Sequence, residues 1–254
     1  MTEKRAILIV SLGERPWFPG VRVLLEAYAA KCHADLIVET QYPSAEEFSL
    51  EEGPENVGRP NKRAYACKTY YTWFHLKFSG YDRILTMDDT CCVALSAPDI
   101  FGIVPAHALG YAQTGRADAE RSFSDIRDFI AQRKIPEISY DYEHYANSGV
   151  LVYAVGMQDH IAPEKIVDCA PLLNSRFPHQ SLSYYLFRRG NFPMFPVSKK
   201  FNTVPAVDLP KSDRRDLMDI RSYLNDDIHI YHVTGMYRNR HVIVPQVVAF
   251  MRGL

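Results

Sequence analysis

No GxGxxG follows the first apolar run of this chain, and 13 glycines are spread over 254 residues, which argues against a dinucleotide fingerprint of the usual kind. The chain also lacks an excess of charge. Its net charge is -1, so it carries no electrostatic footprint for nucleic acid, although local basic pairs occur at Lys199-Lys200 and Arg214-Arg215. It has no CxxC repeat, and its 5 cysteines are odd in number, with Cys91 and Cys92 adjacent. Reduced, mostly buried thiols in a cytoplasmic protein are therefore expected. Long hydrophobic runs are missing too. The run from Ala6 to Leu12 is far too short to span a membrane and lacks a cleavage site, so it reads as a first strand, with at most peripheral membrane association. What the chain has in quantity is apolar and aromatic side chains: 16 Tyr, 13 Phe and 2 Trp within 47% hydrophobic residues are enough for one large domain with a substantial core.

Around residue 88 the pattern changes abruptly. Ile84 to Met87 is an apolar tetrad that runs into Asp88-Asp89 with nothing basic beside them, the signature of a buried strand ending at a charged rim. Two adjacent anions repel, and repulsion with partial burial raises at least one carboxyl pKa unless a cation sits between them. A hard divalent ion, Mn²⁺ or Mg²⁺, would meet that need and keep open positions for waters and phosphates. A turn capped by two acids is the plainer alternative.

Met1 to Pro43 reads as a βαβ unit. Ala6 to Val10 is a buried-type strand, Ser11-Leu12-Gly13 breaks it, and Pro19 and Gly20 open a helix whose Val21, Leu24, Leu25, Tyr28 and Cys32 share one face. Leu36-Ile37-Val38 is the second strand. Ligands of such a parallel sheet lie at the carboxyl ends of its strands, which puts Ser11 to Arg15 at a ligand edge. Glu46 to Pro60 is polar and reads as a surface loop. A helix from about Lys62 to Ser79 follows, with Ala64, Cys67, Tyr71, Phe74 and Phe78 as its core stripe. Lys62, Arg63 and Lys68 stand near its start, where the macrodipole favours anions. They are either a solvated basic face or the binding partners of a diphosphate.

Beyond the two acids, Pro98 to Gly102 reads as a short helix or turn, Ile103 to Ala106 as a strand, and Asp118 to Lys134 as a helix. Asp141 and Glu143 are carboxylates facing the same cleft or merely exposed loop acids. Asn147-Ser148-Gly149 leads into the apolar strand Val150 to Tyr153. It is a place where the backbone can approach a ligand closely, or an ordinary turn. Pro163 to Leu173 and His179 to Arg189 read as helices, the second closed by Gly190 at C′. Ile228 to Gly235 reads as a strand, with His232 near its end as a hydrogen-bonded structural histidine. A last helix, Pro245 through Met251, is expected on the sheet edge.

Taken in order, these pieces resemble the glycogenin-like, or family 8, GT-A glycosyltransferases across nearly the whole chain. Ile7 to Gly13 matches their first strand and nucleotide loop, and Tyr81 to Thr90 stands in the place of the DxD motif. Pro98-Asp99-Ile100-Phe101 is similar to the DLF turn and Asn147-Ser148-Gly149-Val150 to the NAGV strand. Gln180 sits in the DQD helix, Phe201-Asn202 in the place of the FN pair, and His232-Val233-Thr234-Gly235 in that of the HYTG tail.

The resemblance implies an α/β domain of GT-A type, Rossmann-like, with a mixed, mostly parallel central sheet flanked by helices. It would span 1–254 as one unit, with a nucleotide-binding half at 1–105 and an acceptor-binding half at 106–254. The implied activity is metal-dependent glycosyl transfer, of hexosyltransferase type, from a nucleotide-sugar donor such as a UDP-sugar to a glycan or lipid-linked saccharide acceptor, with retention of configuration. The implied ligands of Mn²⁺ or Mg²⁺ are Asp88 and His232, with Asp89 and the third motif position, Thr90, as further candidates. The implied donor-binding residues are Ser11, Leu12 and Arg15 against the uridine, with Arg63, Lys68, Arg238 and Arg240 sharing the charge of the phosphates. Asn147, Ser148, Gly149 and Gly235 complete that set. Gln180 would stand near the reacting face, whereas an inverting relative would need a carboxylate base, for which Asp141 and Glu143 are the candidates.

The chain departs from the pattern in three places. Thr90 stands where the family has its second Asp, His179-Gln180-Ser181 replaces an acid-Gln-acid triplet, and Met236 to Arg240 replaces the usual lysine-proline-tryptophan. These changes leave the sugar open. They also leave room for a non-catalytic nucleotide-sugar binding module with a degenerate DxD. A nucleotidyltransferase would share the layering, but Ser11 to Arg15 makes a poor triphosphate loop.

Overall fold

A computed structural model describes residues 2–50, 62–135, 137–205, 217–234 and 239–253. Strands β1 (Arg5–Val10), β2 (Asp35–Glu39) and β3 (Arg83–Met87) pair in parallel, with β1 in the middle. Side chains leave a strand alternately to its two faces. Ala6 and Leu8 accordingly enter one apolar cluster and Ile7 and Ile9 another. Both faces are covered, which is why these strands read as unbroken apolar runs with no polar alternation.

The sheet continues through β6 (Ala146–Ala154), β5 (Leu109–Gln113) and β7 (Met194–Val197), giving the order β2-β1-β3-β6-β5-β7. β6 runs antiparallel to both β3 and β5, while β5 and β7 are parallel. The sheet is therefore mixed, with β6 reversed among strands that all point the other way. A second, two-stranded sheet pairs β4 (Cys91–Val93) with β8 (Ile230–His232).

One face of the main sheet carries α1 (Phe18–Lys31) and α7 (Arg240–Arg252), which pack on each other and on β4. The other carries α2 (Lys62–Phe78), α4 (Arg116–Arg133) and α6 (Pro178–Arg189). Short helices α3 (Ile100–Ile103) and α5 (Pro163–Asp168) lie in the connections. Burying one aliphatic side chain in such a core is worth about 1.5–3 kcal/mol, so the layers are held by many moderate contributions.

Several expectations from the sequence are corrected. Ile103 to Ala106 is not a strand. The Asp99 carboxylate accepts the Phe101 N–H at 2.9 Å and starts α3 there, and the strand falls at β5 instead. Pro163 to Leu173 is broken into α5 and a 3₁₀ turn over Ala170–Asn174. Pro245 lies inside α7 rather than opening it, because Ile243, Val244, Val247, Val248 and Met251 bury one stripe and outweigh the single backbone bond lost at the proline. The strand near the C-terminus is only β8, which stops at His232. Gly190 follows α6 with φ -76°, so its lack of a side chain serves close packing rather than a left-handed turn: a Cβ there would stand 2.7 Å from His160 Nδ1. The stripe assigned to α2 ends early. Phe78 is 64% exposed where the helix runs past the sheet, whereas Lys68, Thr69 and Thr72 are buried. The middle of α2 is enclosed by the sheet on one side and by α5, α6 and nearby 3₁₀ turns on the other.

Candidate active site

The reversed strand creates the site. Because β6 starts where β3 ends, Asn147-Ser148-Gly149 meets Asp88-Asp89, and the Asp88 N–H donates to the Gly149 carbonyl at 3.0 Å. The small sheet adds a residue from the far end of the chain: β4 leaves the two acids, and its pairing with β8 puts Cys91 opposite His232. The His232 N–H donates to the Thr203 carbonyl at 2.8 Å, which fixes Asn202 alongside.

Asp88 is the centre of this arrangement. Its Oδ1 accepts from Lys68 Nζ at 2.6 Å, and its Oδ2 lies 2.9 Å from His232 Nε2. Lys68 is buried and also donates to the Ser148 carbonyl. Although His232 Nε2 is close to Asp88, the alignment is not that of a hydrogen bond, so this buried nitrogen keeps an unused position.

Hydrogen bonding fixes which nitrogen of His232 carries a proton. The Gly149 N–H can only donate, and it does so to Asn147 Oδ1 at 2.8 Å. That oxygen also receives Asn202 Nδ2 at 3.0 Å, which turns Asn202 Oδ1 toward His232 Nδ1, 3.0 Å away. An acceptor at that position calls for a proton on Nδ1, which in the neutral ring puts the lone pair of Nε2 on the side of Asp88. Gly149 has a second duty here. A Cβ on it would stand 2.2 Å from both Cε1 and Nδ1 of His232, so the close approach anticipated for this glycine is to the imidazole ring.

Asp89 is held separately. Its Oδ2 takes Arg15 Nε at 2.9 Å and Ser11 Oγ at 3.2 Å. The loop that carries these partners turns at Gly13, whose φ of 75° favours glycine. The adjacent acids also behave differently. Burial opposes ionisation of Asp88, but the Lys68 ammonium outweighs it and holds the carboxyl well below its usual range. At Asp89 burial wins over Arg15, and with the neighbouring Asp88 charge it raises the carboxyl.

The other candidate residues are distributed around this centre. Ser11 and Leu12 are buried at the end of β1, and Arg240 at the start of α7 is near enough for its charge to act on Asp89. Thr90 is buried, and its carbonyl accepts the Val233 N–H at 3.1 Å. Gln180 lies on α6 with its Oε1 buried and without a hydrogen-bond partner. Its neighbour His179 meets Thr69 Oγ1 at 3.0 Å, next to Lys68. Arg63 instead donates to the Pro43 carbonyl and stacks over Tyr42, at the end of β2. Asp141 pairs with His144 Nδ1 at 2.6 Å and, with Glu143, Gln113, Arg116, Tyr140 and Tyr142, lines a cavity of about 440 Å³ that contains neither Asp88 nor His232. Gly235 and Arg238 lie outside the described residues. Asn202 was not singled out as a site residue from the sequence. Its only signal there was membership of the Phe201-Asn202 pair.

Among the described residues, no group of three or more His, Cys, Asp and Glu is placed to hold a metal ion. A smaller set does fit one. His232 Nε2, without a hydrogen-bond partner, and Asp88 Oδ2, 2.9 Å from it, are an imidazole and a hard oxygen donor side by side, and Mg²⁺ or Mn²⁺ usually takes one or two carboxylates and completes its shell with phosphates and water. The second-sphere bond from Nδ1 to Asn202 is of the kind that orients a ligating histidine.

No protein-family model matches the sequence, and no curated protein matches it. Solved structures do match. A glycosyltransferase involved in the glycosylation of the major capsid of PBCV-1 superposes with a TM-score of 0.54 at 14% identity, over 98% of this chain and 100% of that one. Mouse xyloside xylosyltransferase 1, in its apo form, gives 0.51 at 12% identity over 91% and 98% of the two chains. The apo structure of WbbM, a bifunctional glycosyltransferase, gives 0.52 at 11% identity, covering 100% of this chain and 52% of that chain. The chain has a GT-A glycosyltransferase fold. In that fold Asp88 and His232 stand together at the carboxyl edge of the sheet, and among the described residues no helix is long and apolar enough to cross a membrane.

Proposed function

We propose that this protein is a glycosyltransferase of the family 8 kind, moving a sugar from a nucleotide-diphosphate donor, a UDP-sugar, to a glycan or lipid-linked saccharide, with retention and with Mn²⁺ or Mg²⁺ as cofactor. The observation that carries the reading is the contact of Asp88 with His232, two residues far apart in the sequence brought within 2.9 Å at the carboxyl edge of the sheet. Asp88 and His232 would hold the cation. When bound, that ion supplies Lewis-acid stabilisation of the departing nucleoside diphosphate. Arg15, Lys68 and Arg240 bring positive charge to the same place and would share the phosphates, with the uridine against Ser11 and Leu12. Gln180, whose buried amide oxygen has no partner, would stand at the reacting face as the amide of a retaining mechanism. The acceptor would enter from the 106–254 half, at the peripheral face of a membrane if it is lipid-linked. Calorimetry with UDP, with and without Mn²⁺, tests the donor site, and a panel of nucleotide sugars followed for hydrolysis and transfer tests catalysis. Binding indifferent to metal together with no turnover of any donor would remove the proposal.

A second reading is favoured by Thr90 at the third motif position and by the two-residue metal set. In that reading the chain is a non-catalytic nucleotide-sugar binding module. UDP binding without turnover of any donor on the same panel would select it.

A further inference from the structure

Each acid at the end of β3 is already neutralised by a cation of the chain itself. Asp88 Oδ1 is taken by Lys68 Nζ at 2.6 Å, and Asp89 Oδ2 by Arg15 Nε at 2.9 Å. A divalent ion at Asp88 Oδ2, beside His232, would share that carboxylate with the ammonium on Oδ1, and one at Asp89 would stand beside the guanidinium; like charges at that range repel. The same two side chains are the ones best suited to a diphosphate. Arg presents a fork that matches phosphate oxygens, and Lys presents a point charge on a flexible four-carbon stem. Arg15 is also 34% exposed on the loop that turns at Gly13, so it can change partners without disturbing the core.

We propose that Lys68 and Arg15 exchange partners when the donor arrives. Without donor they occupy Asp88 and Asp89. With donor they pass to the diphosphate and release the carboxylates to the divalent cation. Metal and diphosphate therefore bind as a coupled pair, each weak alone and each strengthening the other by the same factor, as linkage requires. This rests on the donor site proposed above and adds to it the exchange of Lys68 and Arg15 between carboxylate and phosphate.

The test is calorimetry on the full chain with MnCl₂ alone, UDP alone, and each in the presence of the other, corrected for the association of Mn²⁺ with UDP in solution. The wild-type protein should show coupling of about tenfold or more. Lys68→Met removes the ammonium and keeps the stem. It should bind Mn²⁺ alone more tightly than wild type, by about tenfold, while its UDP affinity and the coupling both fall. Arg15→Met, at a partly exposed position, should shift the same quantities in the same directions by a smaller factor, and it carries the test if the buried Lys68 variant fails to fold. Unchanged or weaker Mn²⁺ binding in the folded variants overturns the exchange, as does wild-type UDP binding that ignores Mn²⁺. Absence of UDP binding under every condition overturns the donor site itself, a different result from two ligands that bind independently.

Discussion

Asn202 Oδ1 lies 3.0 Å from His232 Nδ1, and this contact passes the direction of a backbone amide, Gly149 N–H, to the ring nitrogen that faces Asp88. The chain of bonds runs through two asparagine side chains whose orientations are set by that one obligatory donor. In its neutral form the ring is thereby set to present Nε2 as a lone-pair donor.

Removing the relay should therefore change a tautomer before it changes the fold. In Asn202→Ala, ¹⁵N chemical shifts of the His232 ring should move from a single Nδ1–H form toward a mixture of both forms. Mn²⁺ affinity in the presence of UDP should fall by about 10- to 100-fold, the usual effect of losing a partner of a ligating histidine. Asn202→Asp keeps an acceptor for Nδ1 but loses the donor to Asn147, so its effect should be intermediate. Wild-type ring shifts in the alanine variant would show that the relay does not set the tautomer.

Gly149 and Gly156 make a matched comparison. A methyl on Gly149 would lie 2.2 Å from the His232 ring, whereas one on Gly156 would meet nothing within 4 Å. Gly149→Ala should cost about 1–3 kcal/mol by forcing the ring or β6 to move, and should abolish metal-dependent UDP binding. Gly156→Ala should leave both melting temperature and binding near wild type. Equal behaviour of the two variants in a thermal melt would refute this account of the ring's seat.

The parts legible in the sequence are those whose signal is continuous. The unit β1-α1-β2 was readable because both sheet faces and one helix face are apolar without interruption, and Asp88-Asp89 because a charge pair ends such a run. The shortest elements were legible only in part. The run Ile228 to Gly235 announces β8 but not its bounds, β4 acquires meaning only when paired with it, and β7 carries Pro196, which reads as a loop but is tolerated on an edge strand. The sequence leaves Lys68 open between a solvated cation and a diphosphate partner because helical periodicity says nothing of what lies on the second side of a helix, and here α6 encloses it. Asn202 was hidden for a related reason: its partners lie at residues 147 and 232, and only the fold brings them together.

The two adjacent acids should separate in mutagenesis. Asp88→Asn leaves the buried Lys68 ammonium with neutral acceptors and no counter-charge, and removes the carboxylate facing His232. A fully buried pair broken in this way costs about 3–5 kcal/mol, but Asp88 is 39% exposed, so about 1–3 kcal/mol is expected, with loss of metal-dependent UDP binding. Asp89→Asn leaves Arg15 free to turn to solvent, so it should cost about 1 kcal/mol or less. Denaturant melts and calorimetry of the two variants provide the check, and a larger stability loss for Asp89→Asn would contradict it.

Acid sensitivity should trace in part to His179. Burial, reinforced by the Lys68 charge, pushes its pKa down to about 3, so in the folded protein the ring stays neutral over a range where the unfolded chain binds a proton. A histidine lowered on folding contributes fully above its unfolded pKa of about 6.5, and the contribution is lost as the pH falls toward the folded value. Stability should therefore decline from about pH 6.5 downward, with this one residue contributing a slope of at most about 1.4 kcal/mol per pH unit. His179→Gln can still meet Thr69 but has no proton to take up, so its urea-derived stability between about pH 4.5 and 6.5 should be flatter than that of the wild type. In the upper part of that window exposed carboxylates are ionised in both states, and comparison with the variant cancels their contribution below it. Parallel pH profiles for the two proteins would mean that His179 is protonated in the folded state, and that the enclosure of α2 by α6 is less complete than the buried Thr69–His179 contact implies.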